Sequence, residues 1–127
     1  MLLDPLDTDT LKHQLSQHNE LVIACYCAQW CGTCKGYRTA FAELSQKFPQ
    51  YLFLWIDIED HPDLLDDLDV ENFPTLLIQK DSHNYFFGTM LPYINHLERM
   101  IQAVEDKISA QKAGTSAEGP ADLKKLI

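Results

Sequence analysis

Positive charge is scarce in this sequence, and long apolar runs are missing. The 127 residues carry 10 Lys and Arg against 19 Asp and Glu, which gives a formal net charge of −9. Proteins that bind nucleic acid need a basic stripe, so this balance argues against a nucleic-acid partner. A membrane helix needs about 20 consecutive apolar residues, and the short runs here predict no membrane partner. The length suits one ordinary domain with its own hydrophobic core.

Two acidic stretches bear on location and on metal binding. The first ten residues, MLLDPLDTDT, lack Lys and Arg. A secretory leader begins with a positively charged segment, and we therefore predict a cytoplasmic protein. The second stretch, DIEDHPDLLDDLDVE at 57–71, lacks glycine and the alternating aspartates of an EF-hand loop. We interpret its carboxylates as a solvated helix face that repels acidic partners, not as a calcium site.

Cysteine is missing outside one ten-residue window, which holds Cys25, Cys27, Cys31 and Cys34. A secreted scaffold spreads its cysteines along the chain, because disulfides that close long loops stabilise most. The clustering therefore argues against such a framework. It favours local chemistry, either a redox couple or a metal site.

The apolar pattern predicts alternating helices and strands. Leu11 and Leu15, with Asp7 or Asp9 as N-cap, indicate the first helix. Continuous apolar runs indicate buried strands, and YFF completes a hairpin that Gly88 ends. Helices are predicted at 7–19, 34–48, a short segment opening at Pro62, and 92–108; strands are predicted at 21–27, 52–57, 75–79 and 85–87.

This element order predicts an α/β fold with a mixed sheet between layers of about four helices. The first strand–helix–strand unit implies a right-handed parallel crossover, and the later hairpin adds antiparallel strands. We assign residues 1–110 to this domain. After Ala110 the composition becomes small and polar. We predict that 111–127 form a flexible C-terminal tail, with docking of ADLKKLI as the alternative.

The stretch AQWCGTCKGY, residues 28–37, joins a buried strand to a helix. Cys31 then lies at the helix N-terminus, where unsatisfied N–H groups and the helix dipole favour the nucleophilic thiolate. Cys34 follows about one turn later on the same face, close enough to attack Cys31 once Cys31 is bonded to a substrate sulfur. Lys35 and Arg38 either add positive charge nearby or are plain surface residues.

Two other interpretations of the cysteines stay open. Two ordinary core cysteines would be buried within an element, not placed at a Trp-Cys-Gly turn. A zinc site needs four ligands, and the five-residue step from His13 to His18 puts them on different helix faces. Cys25 and Cys27 would complete an all-cysteine set only if the strand bent to bring four sulfurs together. We predict no metal.

These residues resemble the thioredoxin family. YCAQWCGTCKGY at 26–37, followed by NFPT at 72–75, is similar to the family's signature, and the resemblance covers roughly residues 5–108. It implies the thioredoxin fold, a three-layer α/β/α sandwich with a central mixed β-sheet. It also implies thiol–disulfide exchange, with Cys31 as the attacking cysteine and Cys34 as the resolving one.

The resemblance also implies a substrate surface. Pro74 matches the family's cis-proline, which presents backbone to a bound peptide, and Gly88 matches a glycine that flanks this surface. Trp30 resembles the indole that shields the disulfide. The substrate-binding residues predicted in this way are Trp30, Gly32, Thr33, Phe73, Pro74 and Gly88.

Three residues depart from the family's pattern in ways that bear on the redox couple. Thr33 replaces the usual Pro, which implies a less strongly reducing couple. Cys25 stands in place of a buried Asp, and Trp55 in place of the Lys that partners it, so Cys34 loses its usual base. We therefore predict a buried Cys34 with a raised pKa, because desolvation disfavours the thiolate. Resolution of the mixed disulfide should be slow.

Cys27 is a fourth departure, because the family commonly has an aromatic residue there. We expect Cys25 and Cys27 to share a strand face, with Cys25 beneath Cys34. Either the two are small apolar fillers, or Cys25 is a third redox thiol that pairs with Cys34 on oxidation. The candidate modulators of the couple are Cys25, Cys27, Trp55 and Lys35.

The sequence thus predicts a cytoplasmic reductase of protein disulfides. By the resemblance, electrons come from a flavin-dependent thioredoxin reductase, and no bound cofactor is needed. One alternative is a thioredoxin-fold binding module with weak or no redox turnover, in which Trp30, Phe73 and Pro74 form an apolar groove. The other is a metal or cluster carrier that uses the four cysteines.

Overall fold

The apolar run LVIACYC forms the middle strand of a mixed sheet. The computed structural model describes residues 1–70, 72–112 and 114–127. In chain order its elements are β1 (Leu2–Leu3), α1 (Thr8–Gln17), β2 (Val22–Cys27), α2 (Gly32–Lys47), β3 (Leu52–Asp57), a 3-10 helix (Pro62–Leu65), β4 (Thr75–Lys80), β5 (His83–Thr89), α3 (Ile94–Ser109) and a second 3-10 helix (Leu123–Lys125).

Strand β2 lies between β3 and β4, and the sheet order is β1-β3-β2-β4-β5. Strands β1, β3 and β2 are parallel, whereas β4 and β5 add antiparallel pairs. Every residue of β2 is buried because helices cover both sheet faces. This arrangement explains why the strand is a continuous apolar run and not an alternating one. The predicted mixed sheet is confirmed.

Helices on both faces of the sheet complete a three-layer sandwich. Helices α2 and α3 pack on one face, and Phe41, Leu97 and Ile101 are fully buried there. Helix α1 covers the other face through Leu11 and Leu15. It begins where predicted, because the Asp7 carboxylate accepts a hydrogen bond of 3.0 Å from the Thr10 N–H. No helix in the described ranges is long and apolar enough to cross a membrane.

Several elements differ from the sequence-based prediction. The two-residue β1 was not predicted, and it pairs with β3 at the sheet edge. The third helix is a short 3-10 helix, so the described ranges contain three α-helices where about four were expected. Gly88 lies inside β5 and does not end it. The last helix starts at Ile94, two residues after the predicted Pro92.

The acidic stretch at 57–71 follows β3 and includes the first 3-10 helix. Leu64 and Leu65 turn inward, whereas carboxylates such as those of Asp63 and Asp67 are exposed. The solvated acidic surface is thus formed by turns and a 3-10 helix, not by an α-helical face. Glu71, the last acidic residue of this stretch, lies outside the described residues.

From Ser116 onward, the segment predicted as a tail contacts the rest of the domain. Leu123 is fully buried in the cluster that contains Leu11 and Leu15 of α1. The buried Asn84 of β5 donates from its side-chain amide to the Pro120 carbonyl at 2.9 Å. This packing favours docking over flexibility. The domain boundary at residue 110 stays a prediction, and Ala113 lies outside the described residues.

Candidate active site

Cys31 lies where β2 gives way to α2 and is the N-cap of that helix. Its N–H donates to the Ala28 carbonyl at 3.0 Å, which turns the chain sharply after the strand. Its thiol is free and partly exposed. The first turn of α2 carries Lys35 and no acidic residue. The helix dipole and the unsatisfied N–H groups of this turn therefore act on the Cys31 sulfur without a nearby opposing carboxylate from the same turn.

Cys34 points inward from the first turn of α2. It is buried, with 3% of its surface exposed, as predicted. Its disulfide partner is Cys27, the last residue of β2, and the two Cα atoms are 6.0 Å apart. The sequence analysis paired Cys34 with Cys31, whereas this structure has the disulfide to Cys27, and the exchange between Cys31 and Cys34 stays a prediction. The strand end lies beside the start of α2, which brings the Cys27 side chain to Cys34.

Cys25 does not reach Cys34 in this arrangement. Cys25 and Cys27 share a strand face, as expected, and their sulfurs are 3.7 Å apart. However, the cysteine in contact with Cys34 is Cys27, to which it is bonded. The expectation that Cys25 lies beneath Cys34 is therefore wrong. Cys25 is free and fully buried. Burial raises the pKa of its thiol well above the ordinary value, which keeps it protonated and fits a small core residue.

An aromatic and proline surface lies near the start of α2. The Trp30 side chain is 70% exposed, and its ring packs edge-on against Phe73 with centroids 5.7 Å apart. The Phe73–Pro74 peptide bond is cis. The Pro74 carbonyl accepts a hydrogen bond of 3.2 Å from the Met90 N–H, which ties this loop to the end of β5.

The remaining predicted substrate-binding residues lie at two places. Gly32 and Thr33 are exposed in the first turn of α2. Gly88 pairs with Leu76 across β4 and β5. It lines a groove of about 290 Å³ together with Thr75 and Thr89. The structure therefore brings Trp30 and Phe73 into contact and places Gly88 in a neighbouring groove beyond the proline loop.

A second cavity, of about 450 Å³, has the Cys27–Cys34 disulfide in its wall. Trp55, which has 7% of its surface exposed, forms another part of the wall. The Arg38 guanidinium lies 5.7 Å from the centroid of the Trp55 ring and binds the Asp4 carboxylate. The hydrogen bond to Asp4 raises the pKa of Arg38.

The sequence analysis did not predict this cavity. Its one usable signal was Cys27 itself, because a small side chain in place of an aromatic leaves space at that point. Lys35 and Arg38 of α2 both line this cavity, and the Arg38 guanidinium donates a hydrogen bond to the Asp4 carboxylate.

The four cysteines do not form a metal-ligand cluster among the described residues. Within residues 1–70, 72–112 and 114–127, no group of three His, Cys, Asp or Glu side chains converges as metal ligands would. Cys31 lies at the start of α2, Cys27 and Cys34 form the disulfide, and Cys25 is buried in the core with a free thiol.

The fold and the cysteine arrangement define the class of thiol–disulfide oxidoreductases. A mixed five-stranded sheet of the described residues carries a CxxC motif at a helix N-terminus, and the Phe73–Pro74 peptide bond before β4 is cis. The thioredoxin family model matches residues 3–106. The chain therefore belongs to the thioredoxin family.

Individual relatives agree with this assignment. Thioredoxin H4-2 of Oryza sativa subsp. japonica is 30% identical over 102 residues, which are 79% of this chain and 75% of that protein. Thioredoxin H5 of the same subspecies is 29% identical over 82 residues, and the match spans 65% of this chain but only 61% of that relative's length. A chain in the crystal structure of a complex of ferredoxin:thioredoxin reductase and thioredoxin f2 superposes with a TM-score of 0.66 at 27% identity, covering 79% of this chain and 92% of that one.

Proposed function

We propose that this protein reduces the disulfides of other proteins in the cytoplasm, using Cys31 and Cys34 as its dithiol. The observation that carries the proposal is the placement of Cys31 as the partly exposed N-cap of α2, one turn before the buried Cys34. A nucleophile needs access to its substrate and a stabilised thiolate, and the helix N-terminus supplies both. A resolving thiol needs only to reach the first one.

The reaction requires two exchanges and no bound cofactor. The Cys31 thiolate attacks a substrate disulfide, forms a mixed disulfide with one substrate sulfur and releases the other as a thiolate, which takes up a proton. The Cys34 thiolate then attacks the Cys31 sulfur and releases the second substrate thiolate. The substrate gains two electrons and two protons, and the protein is left with one disulfide.

The surface formed by Trp30, Phe73 and Pro74 is where we place the polypeptide around the substrate disulfide. Trp30 leaves 70% of its surface in solvent while Phe73 fixes its ring from the side. A large exposed aromatic beside a nucleophile gives contact area at a small conformational cost. Gly32, Thr33 and Gly88 border this surface in the proposal, and the groove beside Gly88 extends it.

For the electron donor we propose a thioredoxin reductase. The related chain of known structure is found in a complex of ferredoxin:thioredoxin reductase and thioredoxin f2, which supports a reductase as partner. The surface formed by Trp30, Phe73 and Pro74 offers apolar contacts and backbone groups, which do not select one particular substrate protein.

Insulin reduction tests this proposal. With dithiothreitol or thioredoxin reductase as electron source, the wild-type protein is expected to reduce insulin disulfides, and Cys31→Ser is expected to abolish the reaction. Cys25→Ser is the matched control, because it removes a buried thiol that takes part in neither exchange. Equal rates for wild type and Cys31→Ser would contradict the proposal.

A binding module remains the second candidate, and the Cys27–Cys34 disulfide is the observation that favours it. While Cys34 is bonded to Cys27, it cannot resolve a mixed disulfide at Cys31. A protein that stayed in this form would hold partners without turning over. Insulin reduction at a rate no greater than that of dithiothreitol alone, with the wild-type protein, would favour this candidate.

A further inference from the structure

Two cysteines lie near Cys34 in the fold, Cys31 about one turn earlier at the start of α2 and Cys27 at the end of β2, and a disulfide to either one leaves the other as a thiol. The Cys34 N–H donates to the Cys31 carbonyl at 3.2 Å within the first turn of α2, while the Cys34 sulfur is bonded to Cys27 at the end of β2. A cysteine forms one disulfide at a time. The structure therefore represents an oxidised state in which Cys31 keeps its thiol.

We propose that the Cys27–Cys34 disulfide converts this site from one that reduces a partner's disulfide into one that holds the partner covalently through Cys31. The proposal rests on the proposed function in one respect, since Cys31 must be the attacking thiol. It adds a role for Cys27 and a second state of the site.

The two states expose different sulfurs to a partner. Cys27 and Cys34 have 2% and 3% of their surfaces exposed, so a folded protein cannot reach their disulfide directly. Cys31 is partly exposed at the helix start, near the Trp30–Phe73 contact. In the oxidised state a partner protein therefore meets a thiol, not a disulfide, at the substrate surface.

The Cys27–Cys34 disulfide can form from a Cys31–Cys34 disulfide by thiol–disulfide exchange, without an external oxidant. After one turnover the protein holds a Cys31–Cys34 disulfide, and the Cys27 thiolate attacks the Cys34 sulfur. The Cys27–Cys34 bond forms, the Cys31–Cys34 bond breaks, and Cys31 leaves as a thiolate. The Cys27 proton is lost to solvent, and the oxidation level of the protein does not change. The helix N-terminus stabilises the departing Cys31 thiolate, which favours this direction.

Covalent retention then follows from the occupied resolving cysteine. The free Cys31 thiolate attacks a second partner disulfide, bonds to one sulfur and releases the other as a thiolate. No Cys34 thiolate is present to resolve this bond. Release needs a small dithiol such as dithiothreitol, one of the two electron sources of the insulin assay, which can enter the cavity beside the disulfide. That reductant cleaves Cys27–Cys34 and is itself oxidised, and the Cys34 thiolate then displaces the partner from Cys31.

Counting thiolates tests the proposal. A bis(nitrobenzoate) disulfide releases one coloured thiolate at each attack by a protein thiolate. Fully reduced wild type is expected to release three equivalents and to keep one nitrobenzoate adduct on Cys31. The first two equivalents come from Cys31 attack and Cys34 resolution, and the third comes from Cys31 after it has been freed. Wild type oxidised beforehand is expected to release one equivalent and to keep one adduct.

Variants and peptide mapping make the count specific. Reduced Cys27→Ser is expected to release two equivalents and to keep no adduct, whereas Cys25→Ser, the matched control, should behave as wild type. Peptide mapping of wild type after the reaction should find the Cys27–Cys34 disulfide, and this readout does not depend on how well any variant folds.

Three results would overturn the inference. Two equivalents and no adduct from reduced wild type would show that Cys27 never displaces Cys31, while leaving the proposed function intact. A third equivalent whose adduct maps to Cys25 would remove the role of Cys27. The absence of rapid release from native reduced wild type would contradict the proposed function as well, because Cys31 would not be a nucleophile.

Discussion

Replacing Leu123 by Ala tests whether residues 114–127 belong to the folded domain. The Leu123 side chain is fully buried against α1, beside Leu11 and Leu15. Its N–H donates to the Gln79 side-chain carbonyl at 3.1 Å, which fixes the last turn to β4. Truncation of a fully buried Leu removes its transfer free energy and leaves a cavity, and we expect a loss of about 3 kcal/mol.

Other contacts of this segment make such a loss reasonable. The Gln79 amide donates to the Asn84 side-chain oxygen at 2.8 Å, so the same network joins β4, β5 and the segment. A Cβ atom on Gly119 would lie 2.9 Å from the Cβ of Phe87, so the chain approaches β5 as closely as glycine allows. These contacts hold the backbone in place. The structure therefore cannot close around the truncated side chain, and Leu123→Ala should leave a cavity.

The assay is urea denaturation followed by circular dichroism, with thermal unfolding as a second readout. A loss of about 3 kcal/mol should lower the Tm by roughly 12 °C in a domain of this size. Lys125→Ala is the control, because its side chain is exposed in the same 3-10 helix. If Leu123→Ala and Lys125→Ala shifted the transition equally, residues 114–127 would not pack as described.

Two further substitutions probe buried tyrosines of the core. The Tyr37 hydroxyl is buried with no hydrogen-bond partner among the described residues, so Tyr37→Phe should stabilise the protein by about 1 kcal/mol in urea denaturation, and a loss of stability would contradict this. Burial and the hydrogen bond to Glu105 raise the pKa of Tyr51 to about 12. The unfolded value is about 10, so the stabilisation is present below about pH 10 and is lost as the pH rises toward 12. Tyr51→Phe should therefore reduce the fall in urea midpoint across this range, and an unchanged fall would refute the assignment.

Most of the fold could be predicted from apolar patterns. A strand buried on both faces is a continuous apolar run, and β2, β3 and β4 have this form. Helices α2 and α3 follow from apolar residues at spacings of three and four. The two residues of β1 carry no such pattern, because its pairing with β3 is a tertiary event. The segment at Pro62 contains too few residues for periodicity to separate a 3-10 helix from an α-helix.

The sequence predicted where Cys31 lies in the fold, but it did not predict which cysteine is bonded to Cys34. The sequence places Cys31 at a strand-to-helix junction, and the structure makes it the N-cap of α2. Strand alternation puts Cys25 and Cys27 on one face, but it does not decide which of them meets Cys34. That choice depends on how the turn after Cys27 folds back, where the Cys31 N–H binds the Ala28 carbonyl. The cavity beside the disulfide depends on the same turn together with Trp55 of β3.

Trapping of a mixed disulfide tests the central claim, that Cys31 is the thiol that attacks substrate disulfides. The variant with both Cys27→Ser and Cys34→Ser has no thiol that resolves a bond at Cys31. Incubated with insulin, it is expected to form one stable mixed disulfide, which peptide mapping should assign to Cys31. A variant that also carries Cys31→Ser should form none. An adduct on Cys25, or no adduct at all from the double variant, would contradict the account.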